Sequence, residues 1–233
     1  MAKHGKKYRK AVDGVQADAL WPIASALEKV KEVAFAKFDE SVDVDVNLGI
    51  DASKGDQTVR GSVVLPHGRG REMRVVVFAK GDQAEEAQKA GADFVGTDDL
   101  VQKIKGGWLE FDYAVATPDM MGVVGSLAKI LGPRGLLPNK KVGTVAFEVG
   151  PVVEDLKKGK AFFRNDKAGL VHFSFGKASF DVQKLQENLA AFMKALSAAK
   201  PASSKGKFLK KMSVSSTMGP GFSVNPEELL GSV

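Results

Sequence analysis

The sequence predicts a mixed chain of α+β and α/β character, arranged as two domains. Three observations predict it. Strand-like segments near both ends alternate apolar and polar residues, as in SVDVDVNLGI (41–50) and LVHFSFG (170–176). The middle instead holds a continuous apolar run, MRVVVFA (73–79), which suits a parallel strand covered on both faces. Between the two styles stand the Pro/Gly-rich breaker PHGRGR (66–71) and a short turn near Lys158–Lys160. The expected organisation is a discontinuous α+β domain with an antiparallel sheet, residues 1–66 and 161–233, and an inserted α/β domain, residues 67–160. One continuous α/β domain is the alternative on pattern alone.

The elements follow in chain order. Leu20, Ile23, Leu27, Val30 and Ala34 recur every three or four residues and predict a helix over 19–38. Pro22 is tolerable there only in the first turn. Val42, Val44, Val46 and Leu48 alternate with Asp43, Asp45 and Asn47, a half-buried strand. TVRGSVVL (58–65) is a second strand, expected to form an antiparallel hairpin with it. After 73–79, Asp82 and Glu85 have the spacing of a capping box for a short helix. ADFVG (92–96), a helix from Thr97 and FDYAVAT (111–117) continue a βαβ rhythm. Residues 119–131 read as helical, with Gly122 and Gly125 as weak points, and VVEDLKKG (152–159) as another helix. AFFRND (161–166) and 170–176 read as strands joined by a Lys167-Ala168-Gly169 turn. From Asp181, the stripe Val182, Leu185, Leu189, Phe192 and Leu196 predicts a helix. KMSVSST (211–217) reads as a strand, and Asn225-Pro226-Glu227-Glu228 as the start of a last helix.

Composition narrows the function. The 233 residues are 44% hydrophobic, enough for a real core. The net charge of +6 favours an anionic partner, nucleic acid first. The excess sits at the ends: Lys3, Lys6, Lys7, Arg9 and Lys10 open the chain, and residues 161–233 hold ten Lys/Arg against five Asp/Glu. Without cysteine the chain can build no disulfide, zinc-thiolate site or thiol nucleophile. His4, His67 and His172 are too scattered to make a spaced metal motif. The basic start lacks a following apolar segment, so it does not read as a secretory signal. No apolar run approaches the ~18 residues of a membrane span, so a soluble, cytoplasmic protein is expected.

Enzyme signatures are weak. The turn after 73–79 is AKGDQA, without G-x-G-x-x-G. The loop LGPRGLLPNKKVGT (131–144) could offer Arg134, Lys140 and Lys141 to a phosphate, but it lacks the Gly-Lys-Ser/Thr ending of a Walker A loop. A rigid surface turn with solvated charges explains it as well. Asp98 and Asp99 fit the acidic first turn of a helix. Ser215, Ser216 and Thr217 have no histidine nearby in sequence and no nucleophile elbow. A nucleotide-dependent enzyme on the inserted domain is the rival class.

SVSSTMGPGFSV (213–224) is uncharged and follows Lys205, Lys207, Lys210 and Lys211. Hydroxyls that donate and accept, glycines that allow close approach and an adaptable Met suit short-range contact with RNA. The lysines beside it would supply general attraction to phosphate. A strand followed by a tight turn accounts for the same residues. Phe38, after Lys37, is either a core residue or an exposed platform for a base.

SSTMGPG (215–221), LGPRGLLPNKKVGT (131–144), AKFDESVDVDVNLGID (36–51) and LPHGRGRE (65–72) together resemble the bacterial ribosomal protein L-one family, the stalk protein of the large subunit. The resemblance covers essentially the whole chain in order. It implies a discontinuous first domain with an inserted Rossmann-like, three-layer α/β second domain. It implies binding to large-subunit rRNA at the mobile stalk beside the tRNA exit site, and a part in the movement and release of deacylated tRNA. It further implies repression of the protein's own operon through binding of its mRNA. No cofactor or membrane partner is implied, and a monomer is expected off the ribosome. By motif, Lys37, Phe38, Ser215, Thr217, Met218 and Gly219 would form the RNA surface, with Glu28, Arg164, His172 and Lys177 at its edge. Gly132, Pro133, Arg134, Gly135, Pro138 and Lys141 would form the signature loop of the second domain. Leu137 and Lys140 stand where the family pattern has Met and Pro.

Overall fold

A computed structural model describes residues 5–13, 15, 19–226 and 228. In chain order its elements are α1 (Lys6–Val12), β1 (Leu20–Trp21), α2 (Ile23–Glu32), β2 (Ser41–Leu48), β3 (Arg60–Val64), β4 (Val75–Phe78), α3 (Asp82–Lys89), β5 (Phe94–Gly96), α4 (Asp98–Lys105), β6 (Tyr113–Ala116), α5 (Met121–Gly125), α6 (Ala128–Leu131), α7 (Val149–Lys158), β7 (Lys160–Arg164), β8 (Leu170–Lys177), α8 (Val182–Ala198), β9 (Leu209–Ser216) and β10 (Gly221–Val224). Helices and several sheets mix throughout, as an α/β chain requires. Contacts group the chain into two units, 1–70 with 161–233, and 71–160.

In the first unit a five-stranded sheet runs β1-β10-β9-β2-β8. Its pairs are antiparallel except β1 with β10, which is parallel. The sheet is therefore mixed at one edge, where a purely antiparallel one was expected. On β2, Val42, Val44, Val46 and Leu48 are all buried. They face a core shared with α2 and α8, whose Leu27, Val30, Leu185, Leu189 and Phe192 are also buried. The ring of Phe192 stacks on Phe173 at 4.2 Å and meets Phe163 edge-on at 5.5 Å. The alternate residues of the strands, Asp43, Asp45, Ser213, Ser215 and His172, keep partial or full exposure on the other face. That is the alternation expected of a sheet packed on one side.

Two expectations fail here for physical reasons. The helix starts only at Ile23, because Pro22 occupies its N-cap. Leu20, although in phase with the helical stripe, lies in β1 and is 71% exposed. Nor do 41–50 and 58–65 form a hairpin: both edges of β2 are taken by β8 and β9. The strand β3 pairs instead with β7 in a two-stranded sheet, and it packs on α8.

In the second unit β4 is the middle strand of a parallel sheet, β5-β4-β6. All four of its residues are buried, as its continuous apolar run requires. Val76 and Phe78 pack with Leu100, Ile104, Val124 and Leu127 on the side of α4, α5 and α6. Gly81, and not Asp82, is the N-cap of α3, and no side-chain capping bond forms. The helical stretch 119–131 is broken into α5 and α6 around Ser126–Leu127. The helix α7 begins three residues before its predicted start and ends at Gly159, whose φ of 110° suits glycine. The last helix expected after Asn225 lies largely outside the described residues, as does the basic start at Lys3.

Candidate nucleic-acid interface

One end of the five-stranded sheet gathers most of the residues singled out by sequence. Ser41 opens β2 opposite Lys177, which closes β8, and Val42 lies opposite Ser216, which closes β9. The loop leaving α2 (33–40) and the turn after β9 (217–220) therefore meet there. Irregular loops at such a place have backbone N–H groups that no ladder satisfies.

Glu40 satisfies them. Its side chain is 1% exposed. One carboxylate oxygen accepts the Ala36 N–H at 2.7 Å, and the other accepts the Met218 N–H at 3.1 Å. Its backbone carbonyl accepts the Ala178 N–H at 2.8 Å. Burial pushes the Glu40 carboxyl pKa up, but the hydrogen-bond donors facing it, the amides of Ala36 and Met218 among them, outweigh it, so the pKa is lowered. The group is thus held as a carboxylate, the form able to accept all these bonds.

Around this clamp Thr217 extends the ladder by one residue. Its N–H donates to the Ser41 carbonyl at 3.1 Å, and its Oγ1 accepts the Ser41 N–H at 2.9 Å. Gly219 closes the turn through its N–H to the Ser216 carbonyl, 3.2 Å. A Cβ on Gly219 would lie 2.5 Å from Ser216 Oγ, so a larger residue there would have to turn that hydroxyl aside. From the other side, Lys177 Nζ donates to Ser41 Oγ at 3.0 Å and to the Asp39 carbonyl at 3.3 Å. The Asp39 carboxylate accepts the Ser179 N–H and hydroxyl at 3.2 and 2.8 Å.

The loop 36–40, fixed from both sides, presents Lys37 and Phe38 outward. Phe38 is 57% exposed and Met218 50%, unusual for such side chains, while Lys37 and Thr217 are also exposed. Ser215 lies one residue inside on the open face, between Asp43 and Gly221. An aromatic face, a thioether, hydroxyls and cations are thereby held at one edge. This set can stack on bases, bond to hydroxyls and attract phosphate.

Other residues are not brought to this edge. Glu28 is exposed on α2, and Arg164 ends β7 in the two-stranded sheet. His172 sits five residues before Lys177, roughly 17 Å along the strand at ~3.3 Å per residue. Its Nδ1 lies 2.5 Å from Asp45 and its Nε2 3.9 Å from Asp166. The lysines of 205–211 are exposed, but they stand at the far end of the sheet, with Lys211 opposite Asn47. Six residues of strand separate Lys211 from Thr217, about 20 Å. Sequence neighbours along a strand are thus not spatial neighbours, and these lysines do not ring the turn.

The sequence reading missed Glu40. The signal was available: the inward phase of Val42, Val44 and Val46 extends back to residue 40. A carboxylate at an inward strand position needs partners, and so marks a built site.

In the second unit the loop 131–144 is tied down. Gly135 has φ 72° and bonds back to Gly132 at 3.0 Å. Pro138 is buried, and the Thr144 hydroxyl accepts the Asn139 N–H at 2.8 Å. The Thr144 carbonyl accepts the Ala116 N–H at 3.0 Å, joining the loop to β6. Gly132, Pro133, Arg134 and Lys140 are exposed, whereas the side chain of Lys141 is outside the described part of the structure.

Among the described residues no cluster of His, Asp and Glu could hold a metal ion, and no helix is long and apolar enough to cross a membrane. Comparison with known families places the chain among ribosomal proteins. Residues 30–220 match the model of the Ribosomal protein L1p/L10e family, and the chain belongs to that family. The resemblance drawn from the sequence motifs is confirmed. Membership supports a structural role in the ribosome and binding to ribosomal RNA, and the family is one of structural proteins, not of enzymes.

Proposed function

We propose that the chain is a stalk protein of the large ribosomal subunit and that the Glu40-centred edge is its RNA-binding surface. Residues 1–66 with 161–233 act as a discontinuous RNA-binding domain. Residues 67–160 act as an inserted Rossmann-like domain that carries no cofactor. Lys37, Phe38, Ser215, Thr217, Met218 and Gly219 read the RNA, with Lys177 holding the edge in shape. Glu28, Arg164 and His172 would extend the contact only if the RNA reaches well beyond this edge. The chain works in the cytoplasm as part of the ribosome, and as a monomer off it. On the ribosome it assists movement and release of exit-site tRNA. Off it, the same edge binds the mRNA of its own operon and represses translation.

The observation that supports this reading best is the buried carboxylate that fixes two loops so that a Phe and a Met stand exposed. Exposed apolar side chains on a fixed, hydroxyl-rich edge suit unstacked bases better than solvent. A competition measurement tests whether rRNA and mRNA share the site. Labelled stalk rRNA is bound to the full chain and displaced with the operon's leader mRNA. Full displacement at one-to-one stoichiometry, with both RNAs weakened alike by Phe38→Ala, is expected. A ternary complex of chain, rRNA and mRNA would overturn the shared edge.

A further inference from the structure

Six of the seven methionines lie among the described residues, and their surroundings differ. Met73, Met120, Met193 and Met212 are between 1% and 5% exposed. Met121 is half-buried at the start of α5. Among the described methionines Met218 alone is exposed, at 50%, in the turn after β9. The backbone beneath it is fixed. Its N–H donates to Glu40 at 3.1 Å, and its neighbours Thr217 and Gly219 donate to the carbonyls of Ser41 and Ser216 at 3.1 and 3.2 Å. The thioether therefore stands open to solvent on the edge that also presents Phe38. A thioether sulfur is polarisable, and once accessible it reacts with two-electron oxidants.

We propose that Met218 is a reversible oxidation site through which a peroxide weakens RNA binding at the Glu40 edge. The inference rests on the RNA reading of that edge and adds its regulation. A lone pair of the Met218 sulfur attacks one oxygen of hydrogen peroxide, and the O–O bond breaks as the S–O bond forms. The proton of the transferred oxygen passes to the departing hydroxide, which leaves as water. The sulfur is oxidised by two electrons and the peroxide is reduced by two. The product is a sulfoxide, polar and chiral where the thioether was apolar. Against a base, the sulfoxide oxygen must give up its water without gaining a partner, which disfavours the contact. The fold itself is spared, because the turn is held by backbone bonds and the Glu40 carboxylate and not by the Met218 side chain. Reduction by a methionine sulfoxide reductase restores the thioether. Met212, six residues earlier on β9, has the same atoms but is buried. Position, and not residue type, sets the response.

The test treats the full chain with limiting hydrogen peroxide and compares it with the untreated chain. Cleavage after Lys211 puts Met212 and Met218 on one peptide, 212–233, and mass-spectrometric fragmentation separates them. Met218 should gain one oxygen while Met212 stays reduced and Met121 lags. Bound stalk rRNA should slow the reaction at Met218. The affinity of the oxidised chain for stalk rRNA should fall roughly fivefold, the scale of one lost contact of a thioether. Its urea unfolding should be unchanged, and reductase treatment should restore the affinity. In Met218→Leu, whatever its own affinity, the oxidant should leave that affinity where it was. Oxidised Met218 with undiminished affinity would overturn the switch and leave the edge standing. A loss of affinity that persists in Met218→Leu would assign the effect to another residue and overturn the site. Oxidation of Met121 or Met212 ahead of Met218 would overturn the selectivity. An untreated chain that does not bind the stalk rRNA at all would remove the edge and the switch together.

Discussion

Glu40→Gln isolates the clamp, because it keeps shape and removes charge. The carboxylate accepts from Ala36 on one oxygen and from Met218 on the other. A carboxamide has one acceptor oxygen and one NH₂, so one of these amides must face a donor. The other bond survives but loses its charge assistance. A buried donor left unsatisfied costs roughly 1–3 kcal/mol and the weakened bond about 1 more, so about 2–4 kcal/mol is expected. Urea unfolding of the full chain, followed by a probe in the first unit, measures it. The pH dependence fixes the cause. The folded pKa of Glu40 is lowered, so its stabilisation is present above the ordinary glutamate range and is lost as pH falls through the lowered value. Glutamine does not titrate. The gap between wild type and variant should be full at pH 7 and narrow as the pH drops below about 4. Affinity for stalk rRNA at pH 7 should fall tenfold or more, because Phe38 and Met218 lose their fixed positions. Wild-type stability and wild-type affinity in Glu40→Gln would refute the clamp.

Other perturbations separate reading from attraction. Met218→Ala and Thr217→Ala should each weaken specific RNA binding by about 1–3 kcal/mol in a titration, with the unfolding transition of Met218→Ala unchanged. Alanine at Lys205, Lys207, Lys210 and Lys211 should leave stalk affinity and its salt slope near wild type, because these lysines stand at the far end of the sheet, about 20 Å from the edge and beyond a Debye length. Asn188 is buried in α8, where it accepts the His67 N–H at 3.1 Å and donates to the carbonyls of Gly68 and Phe175 at 2.9 and 2.8 Å. Asn188→Ala strands these groups and should destabilise the first unit by about 2–4 kcal/mol in urea unfolding.

Much of this fold was legible because local burial leaves a local pattern. The alternation of 41–48 and the apolar run of β4 showed which strand has one wet face and which has none. The stripe of α8 showed its buried face as far as Phe192 and Leu196. Pairing was not legible, because partners of β2 come from residues 170–177 and 209–216, more than 120 positions away. A local pattern fixes which side of a strand is buried, not which strand lies beside it. Leu20 was misread because two residues in phase with a helix can equally begin an edge strand before a proline. At the site, the motif residues were visible but their support was not. Lys37, Phe38 and Met218 stood out by type, and Glu40 only by its inward phase before Val42, whereas the backbone bonds through which Glu40 and Asp39 hold the loops leave no local pattern.

On the proposed reading, the Glu40 edge discriminates RNA beyond charge attraction. Binding of the purified chain to a stalk fragment of large-subunit rRNA, against a scrambled RNA of equal length, across a salt series, tests it most directly. A preference for the stalk that persists at high salt and is lost in Phe38→Ala is expected. Equal binding to both RNAs, fading together as salt rises, would contradict it and leave the basic ends of the chain as the whole of the attraction.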